Sequence, residues 1–122
     1  MEVINRMAVF EVNTYVVIHG KESEHELILK EIFDYGRKHP EISKHVKSLR
    51  VFRQGVGGSP IGRFVLMTEF ENLCEMEVFY TKLNKDKDWL KIREKWISVI
   101  DLGSMYVSLW IDRLRDFWME RC

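Results

Sequence analysis

Residues 47–70, KSLRVFRQGVGGSPIGRFVLMTEF, decide the fold. Leu49, Val51 and Arg53 alternate with Ser48, Arg50, Phe52 and Gln54, and Ile61 to Phe70 is again rich in β-branched and aromatic side chains. Alternation with period two marks a strand, because successive side chains leave opposite faces of the pleat. Between the two runs, Gly55-Val-Gly-Gly-Ser-Pro60 supplies the backbone freedom that a reversal needs. The stretch therefore reads as one antiparallel hairpin. A phosphate cradle would instead require a helix N-terminus after the glycines and usually a lysine for the phosphates; here a β-rich run follows.

Working outward, each side of the hairpin carries a helical pattern and then a strand. Upstream, Ser23-Glu-His-Glu26 reads as a capping box, followed by Ile28, Ile32 and Tyr35 with Leu29 and Phe33 at helical spacing. Gly36 and His39-Pro40 stop that helix. Downstream, Asn72 with Glu75 caps a second helix whose stripe is Leu73, Met76, Phe79, Tyr80 and Leu83. Asn84-Lys-Asp-Lys-Asp88 breaks it, and Asp86 or Asp88 caps a restart carrying Trp89, Ile92, Trp96, Val99 and Ile100. At the outer ends lie two further strands. Phe10, Val12, Thr14, Val16 and Ile18 alternate with Val9, Glu11, Asn13, Tyr15 and Val17; Met105, Val107, Leu109 and Ile111 alternate with Tyr106, Ser108, Trp110 and Asp112. The order is βαββαβ with the second helix broken in two. That is the α+β, ferredoxin-like arrangement, with both helical regions on one face of a four-stranded antiparallel sheet.

Length and composition agree with one domain over residues 1–122, its core about 7–112 and a tail, 113–122, bearing Leu114, Phe117 and Trp118. A hydrophobic share of 46% excludes disorder. Lys+Arg 19 against Asp+Glu 19 leaves no net field to draw in nucleic acid or an anionic membrane. No apolar run reaches the ~18 residues of a membrane span, and Met1-Glu-Val-Ile-Asn-Arg6 lacks the basic and apolar regions of a signal peptide. Two cysteines, Cys74 and Cys122, are no disulfide framework. The expected setting is cytoplasmic. One Gln against abundant Lys and Glu also leans toward a thermophile's composition.

If the more apolar alternation of each strand faces the helices, the other sheet face carries Glu11, Asn13, Tyr15, Arg50, Phe52, Tyr106, Trp110 and Asp112. Aromatics grouped on one exposed face are costly in water and mark an interface. A two-fold partner presenting the same face is the economical cover, with Phe117 and Trp118 bracing the pair. The expectation is a homodimer.

Several short motifs resemble NIPSNAP-type domains: Glu11-Val-Asn-Thr-Tyr15 followed by Gly20-Lys21, Thr68-Glu-Phe-Glu-Asn72, and Asp86-Lys-Asp-Trp89. The resemblance covers about residues 7–112 and departs at Thr68, where an aromatic is usual. It implies the dimeric α+β barrel superfamily, which includes cofactor-free monooxygenases, small cyclases and isomerases, and haem-degrading enzymes. The haem-degrading members use an Asn, a Trp and a His; no His follows position 45, so the second helical region has no imidazole to hold iron.

The residues themselves favour a small, largely apolar ligand, with Asn13, Tyr15, Arg50, Tyr106 and Trp110 as binding candidates. Cofactor-independent monooxygenation, or cyclisation and isomerisation, is the alternative, with Glu11, Asn13 and Tyr15 as catalytic candidates. Such chemistry needs an apolar pocket with a few donors for a developing enolate or phenolate, and Glu11 as base if burial raises its pKa. These polar groups can equally satisfy one another in a dimer seam, which would leave a structural or regulatory homodimer without ligand. No cofactor is expected. His19, His25, His39 and His45 read as solvated surface histidines, with neither an i, i+4 pair nor a Cys at ligand spacing, so no metal is expected. The basic cluster from Arg37 to Arg53 lacks the strand aromatics of an RNA-recognition sheet, so nucleic acid is not an expected partner.

Overall fold

The computed structural model describes residues 7–55 and 62–112. Strands β1 (Val9–Val17), β2 (Ser48–Arg53), β3 (Arg63–Phe70) and β4 (Ile100–Ile111) form one sheet in the order β2-β3-β1-β4, every neighbouring pair antiparallel. Helix α1 (Glu22–Lys38), the single turn α2 (Pro40–Ser43), and α3 (Leu73–Leu83) with α4 (Lys87–Ser98) complete the chain. This is the ferredoxin-like topology that the hairpin and its flanking patterns predict. The expected tail, 113–122, lies outside the described residues.

Local chemistry explains the element ends. Asn72 Oδ1 accepts from the Glu75 backbone N–H at 2.9 Å, and Asp86 Oδ1 accepts from those of Asp88 and Trp89 at 2.9 and 3.3 Å, so both expected caps form. The capping box at Ser23 does not. Gly20 adopts φ +89°, a left-handed conformation suited to glycine, and the turn closes early with Lys21 N–H on Ile18 O. Helix α1 consequently starts at Glu22 and encloses Ser23 in its first turn.

Helices α1 and α4 lie on one sheet face around Tyr15, Val17, Ile28, Leu29, Ile32, Phe64, Trp96, Val99 and Ile100. A second cluster, Tyr35, Ile42 and Leu83, gathers α1, α2 and α3. On β1 the expected faces are inverted. Glu11, Asn13 and Tyr15 share the helix-covered face with Val9 and Val17; Phe10, Val12, Thr14 and Val16 take the open one. Register fixes the rest, because directly paired residues share a face. Trp110 pairs with Phe10 and Tyr106 with Thr14, so both look outward, as Arg50 and Phe52 do opposite Met67 and Val65. Those four keep their expected face.

Pairing of β1 with β4 breaks between Thr14 and Val16, where Thr14 opposes Tyr106 but Val16 opposes Asp101. Ser104 repairs the ladder. Its Oγ accepts the Val16 N–H at 2.9 Å and donates to Asp101 O at 2.6 Å. Replacing Ser104 by Ala leaves the partly buried Val16 N–H without its acceptor. The expected cost is about 1–2 kcal/mol, read as a lower urea midpoint at unchanged m-value.

Candidate functional site

The two core clusters share Trp89 and Ile92 at their margin but do not close over the sheet between them. Between them lies a cavity of about 870 Å³. Leu49, Leu66, Met105 and Val107 form its floor on the sheet, and Ile32, Tyr35, Phe79, Leu83, Trp89 and Trp96 form its helical walls. Space of this size with walls this apolar suits a small organic molecule.

Few polar groups face inward. Glu11 accepts a hydrogen bond from the Tyr80 hydroxyl, joining β1 to α3 across the cavity wall. Burial, and then the adjoining Glu11 carboxylate, push the Tyr80 phenol far above its ordinary range, so it remains a donor. Asn13 Oδ1 is buried and meets no partner among the described residues. An orphan amide oxygen carries a desolvation cost unless something donates to it.

The sequence candidates are thereby divided. Glu11 and Asn13 meet at the cavity. Arg50, Tyr106 and Trp110 lie on the opposite sheet face and do not join them; Tyr106 and Trp110 are 66% and 62% exposed. Tyr15 belongs to the core, stacked on Phe64 with ring centroids 5.9 Å apart and edge-on to Trp96 at 5.3 Å. Its hydroxyl and His25 Nε2 are hydrogen-bonded at 2.7 Å. Burial pushes the Tyr15 phenol up to about 12. Tyr80, Trp89, Trp96 and Arg93 line the cavity without having been singled out for it. The available signal was a phenol and an arginine interrupting otherwise apolar helical stripes.

Of the histidines, His19 alone is solvent-exposed as expected. His25 is fully buried because α1 sets it against Tyr15 and Phe64. His45 accepts from Lys82 Nζ at 3.0 Å, which leaves Nδ1–H to donate to Glu75 at 2.5 Å. His39 stacks on Tyr35 and places Nε2 3.6 Å from Asp86 Oδ2. His39, Asp86 and Asp88 offer ligand atoms within 4.8 Å of one another. Asp86 is already engaged there through its cap and His39. Burial opposes its charge, but the Trp89 and Asp88 N–H groups and the nearby His39 outweigh that and hold the carboxyl below its usual range.

No protein-family model matches the chain, and no curated protein matches it in sequence. Solved structures do match in three dimensions. A NIPSNAP family protein from Agrobacterium tumefaciens superposes with a TM-score of 0.67 at 18% identity, covering 86% of this chain and 85% of that one. A second from the same organism, of unknown function, gives 0.66 at 19%, covering 88% and 89%. The chain has the NIPSNAP fold. SnoaB, a cofactor-independent oxygenase from Streptomyces nogalater, shares it at a TM-score of 0.63 and 13% identity, covering 88% of this chain and 94% of that one. The motifs at Glu11–Tyr15, Thr68–Asn72 and Asp86–Trp89 thus point to the right fold. On this NIPSNAP-fold chain, no helix among the described residues is long and apolar enough to cross a membrane.

Burial depresses the His25 pKa from its ordinary 6.5. The unfolded chain therefore takes up a proton near pH 6.5 that the folded protein refuses. Stability is full above that pH and declines as pH falls toward the folded pKa. Unfolding free energy measured between about pH 7 and 5 should fall in the wild type. The His25→Gln protein should lack that component, and equal slopes in both would rule it out.

Proposed function

We propose that this NIPSNAP-fold protein binds a small, largely apolar molecule in the cavity between sheet and helices. The observation that carries the reading is the buried, unpartnered Asn13 Oδ1 on the wall of a largely apolar cavity of about 870 Å³. A bound molecule with one N–H or O–H directed at Asn13 would satisfy that atom while its apolar body leaves water. N-phenyl-1-naphthylamine has this chemistry. Its binding should quench emission from Trp89 and Trp96 with one-to-one saturation, and Asn13→Ala should weaken it about tenfold. Absence of saturable quenching by folded wild-type protein rejects the reading.

Cofactor-independent oxygenation in the same cavity is the second reading, favoured by the likeness to SnoaB and by the Glu11–Tyr80 pair on the wall. Here Glu11 is the proton acceptor and Tyr80 the donor that orients it. With any substrate found to turn over, Glu11→Gln should abolish turnover while leaving affinity within about twofold.

The reading includes a single domain that forms a homodimer in the cytoplasm. Support for the reducing compartment is the free, exposed Cys74. Support for the dimer is the open sheet face, where Phe52, Tyr106 and Trp110 are 47%, 66% and 62% exposed. A two-fold copy of such a face is complementary to itself. Sedimentation at micromolar concentration should give a dimer for the wild type and a folded monomer for Trp110→Glu. A wild-type monomer would remove the dimer and leave ligand binding standing.

A further inference from the structure

Helix α4 presents Trp89, Arg93, Trp96 and Ile97 to the cavity. These positions are three and four residues apart and make one stripe, so Arg93 interrupts an apolar surface from within. Its helical neighbours at those spacings, Trp89, Leu90, Trp96 and Ile97, include no acid. Among the described residues its guanidinium makes no ion pair or hydrogen bond, whereas Arg37, the other arginine on the lining, is held by Asp34 at 2.6 Å. Arg93 is exposed and yet lines the cavity, which places it at the mouth. The exposed lining residues Arg37, Asn84, Arg93, Leu102 and Val107 include no acid, and the one carboxylate of the lining, Glu11, is taken by Tyr80.

We infer that the cavity's ligand is an organic anion: an apolar body with a hydrogen-bond donor at Asn13 and a carboxylate, sulfonate or similar group at the mouth on Arg93. This rests on the binding reading above and specifies its ligand class. A guanidinium offers a rigid, two-pronged set of donors to such a group and loses less hydration than an ammonium when it pairs. The competing account is that the Arg93 stem merely covers Trp89, Trp96 and Ile97 while its head stays in water.

Two matched probes separate these accounts. 8-Anilinonaphthalene-1-sulfonate and N-phenyl-1-naphthylamine share an aromatic body and an N–H, and differ by the sulfonate. Both are titrated into the full-length protein by tryptophan quenching, and displacement of one by the other shows that they occupy one cavity. Arg93→Gln should weaken the sulfonate about tenfold and leave the uncharged probe within about twofold, with Arg93→Lys recovering part of the loss. Raising salt from 0.05 to 0.5 M should weaken the sulfonate alone. Equal weakening of both probes by Arg93→Gln would assign Arg93 to packing and overturn the inference. No effect on either, or failure of the two probes to compete, overturns it as well. Should neither probe bind the wild type, the cavity reading itself falls; binding of the uncharged probe with an indifferent Arg93 removes the anion alone.

Discussion

The hydrogen bond between Tyr15 and His25 ties the first strand to the first helix, and the rest of the site follows from it. Side chains alternate along a strand, so fixing Tyr15 on the helix side also sends Glu11 and Asn13 there. Cross-strand register then carries the choice through the sheet: Leu66 and Thr68 face inward with Asn13 and Glu11, and Tyr106 and Trp110 face outward with Thr14 and Phe10. A one-residue slip would expose the cavity floor and bury the open face. The contact also takes a histidine out of water, and depressed basicity is the consequence.

The cavity itself arises from division of the core. One cluster is organised by Tyr15, Phe64 and Trp96, and the other by Tyr35, Ile42 and Leu83. Asn84 to Asp86 interrupts the second helical region, so α3 and α4 approach the sheet separately. Where they diverge, the floor remains uncovered, and the large rings of Phe79, Tyr80 and Trp89 line the gap without filling it. The same break draws Asp86 into a cap for α4 and sets it against His39, which ties α1 to the junction. Helix packing and ligand space are therefore two results of one interruption in the sequence.

Much of the fold was legible because its signals are local. Period-two runs and the glycine turn gave the hairpin, and short-range caps at Asn72 and Asp86 gave both parts of the broken helix. Ser23 misled because a capping box is only a pattern until the preceding turn is known; Gly20 closes that turn too early for it to serve. The candidate site was half legible. Glu11 and Asn13 stand out as polar residues in a strand, but Tyr80 and Arg93 sit on stripes that read as packing, and their roles depend on what faces them. Tyr15, by contrast, has a hydroxyl that suggests a site and a partner that makes it core.

The sequence alone determined the order of elements, the antiparallel pairing of the central hairpin and the interruption of the second helical region, since each rests on residues close in the chain. Only the tertiary structure decided which face of β1 is covered. Hydrophobicity favours Phe10, Val12, Val16 and Ile18 over Val9, Tyr15 and Val17, yet the fold covers the less apolar alternation. The choice is made by a contact between a strand and a helix, Tyr15 with His25, whose two residues come from opposite patterns: a phenol in a mixed strand and a histidine in a polar first turn. Their mutual burial pairs the phenol with Nε2 while leaving His25 Nδ1 without a partner, and with it Asn13 comes to the wall of the cavity.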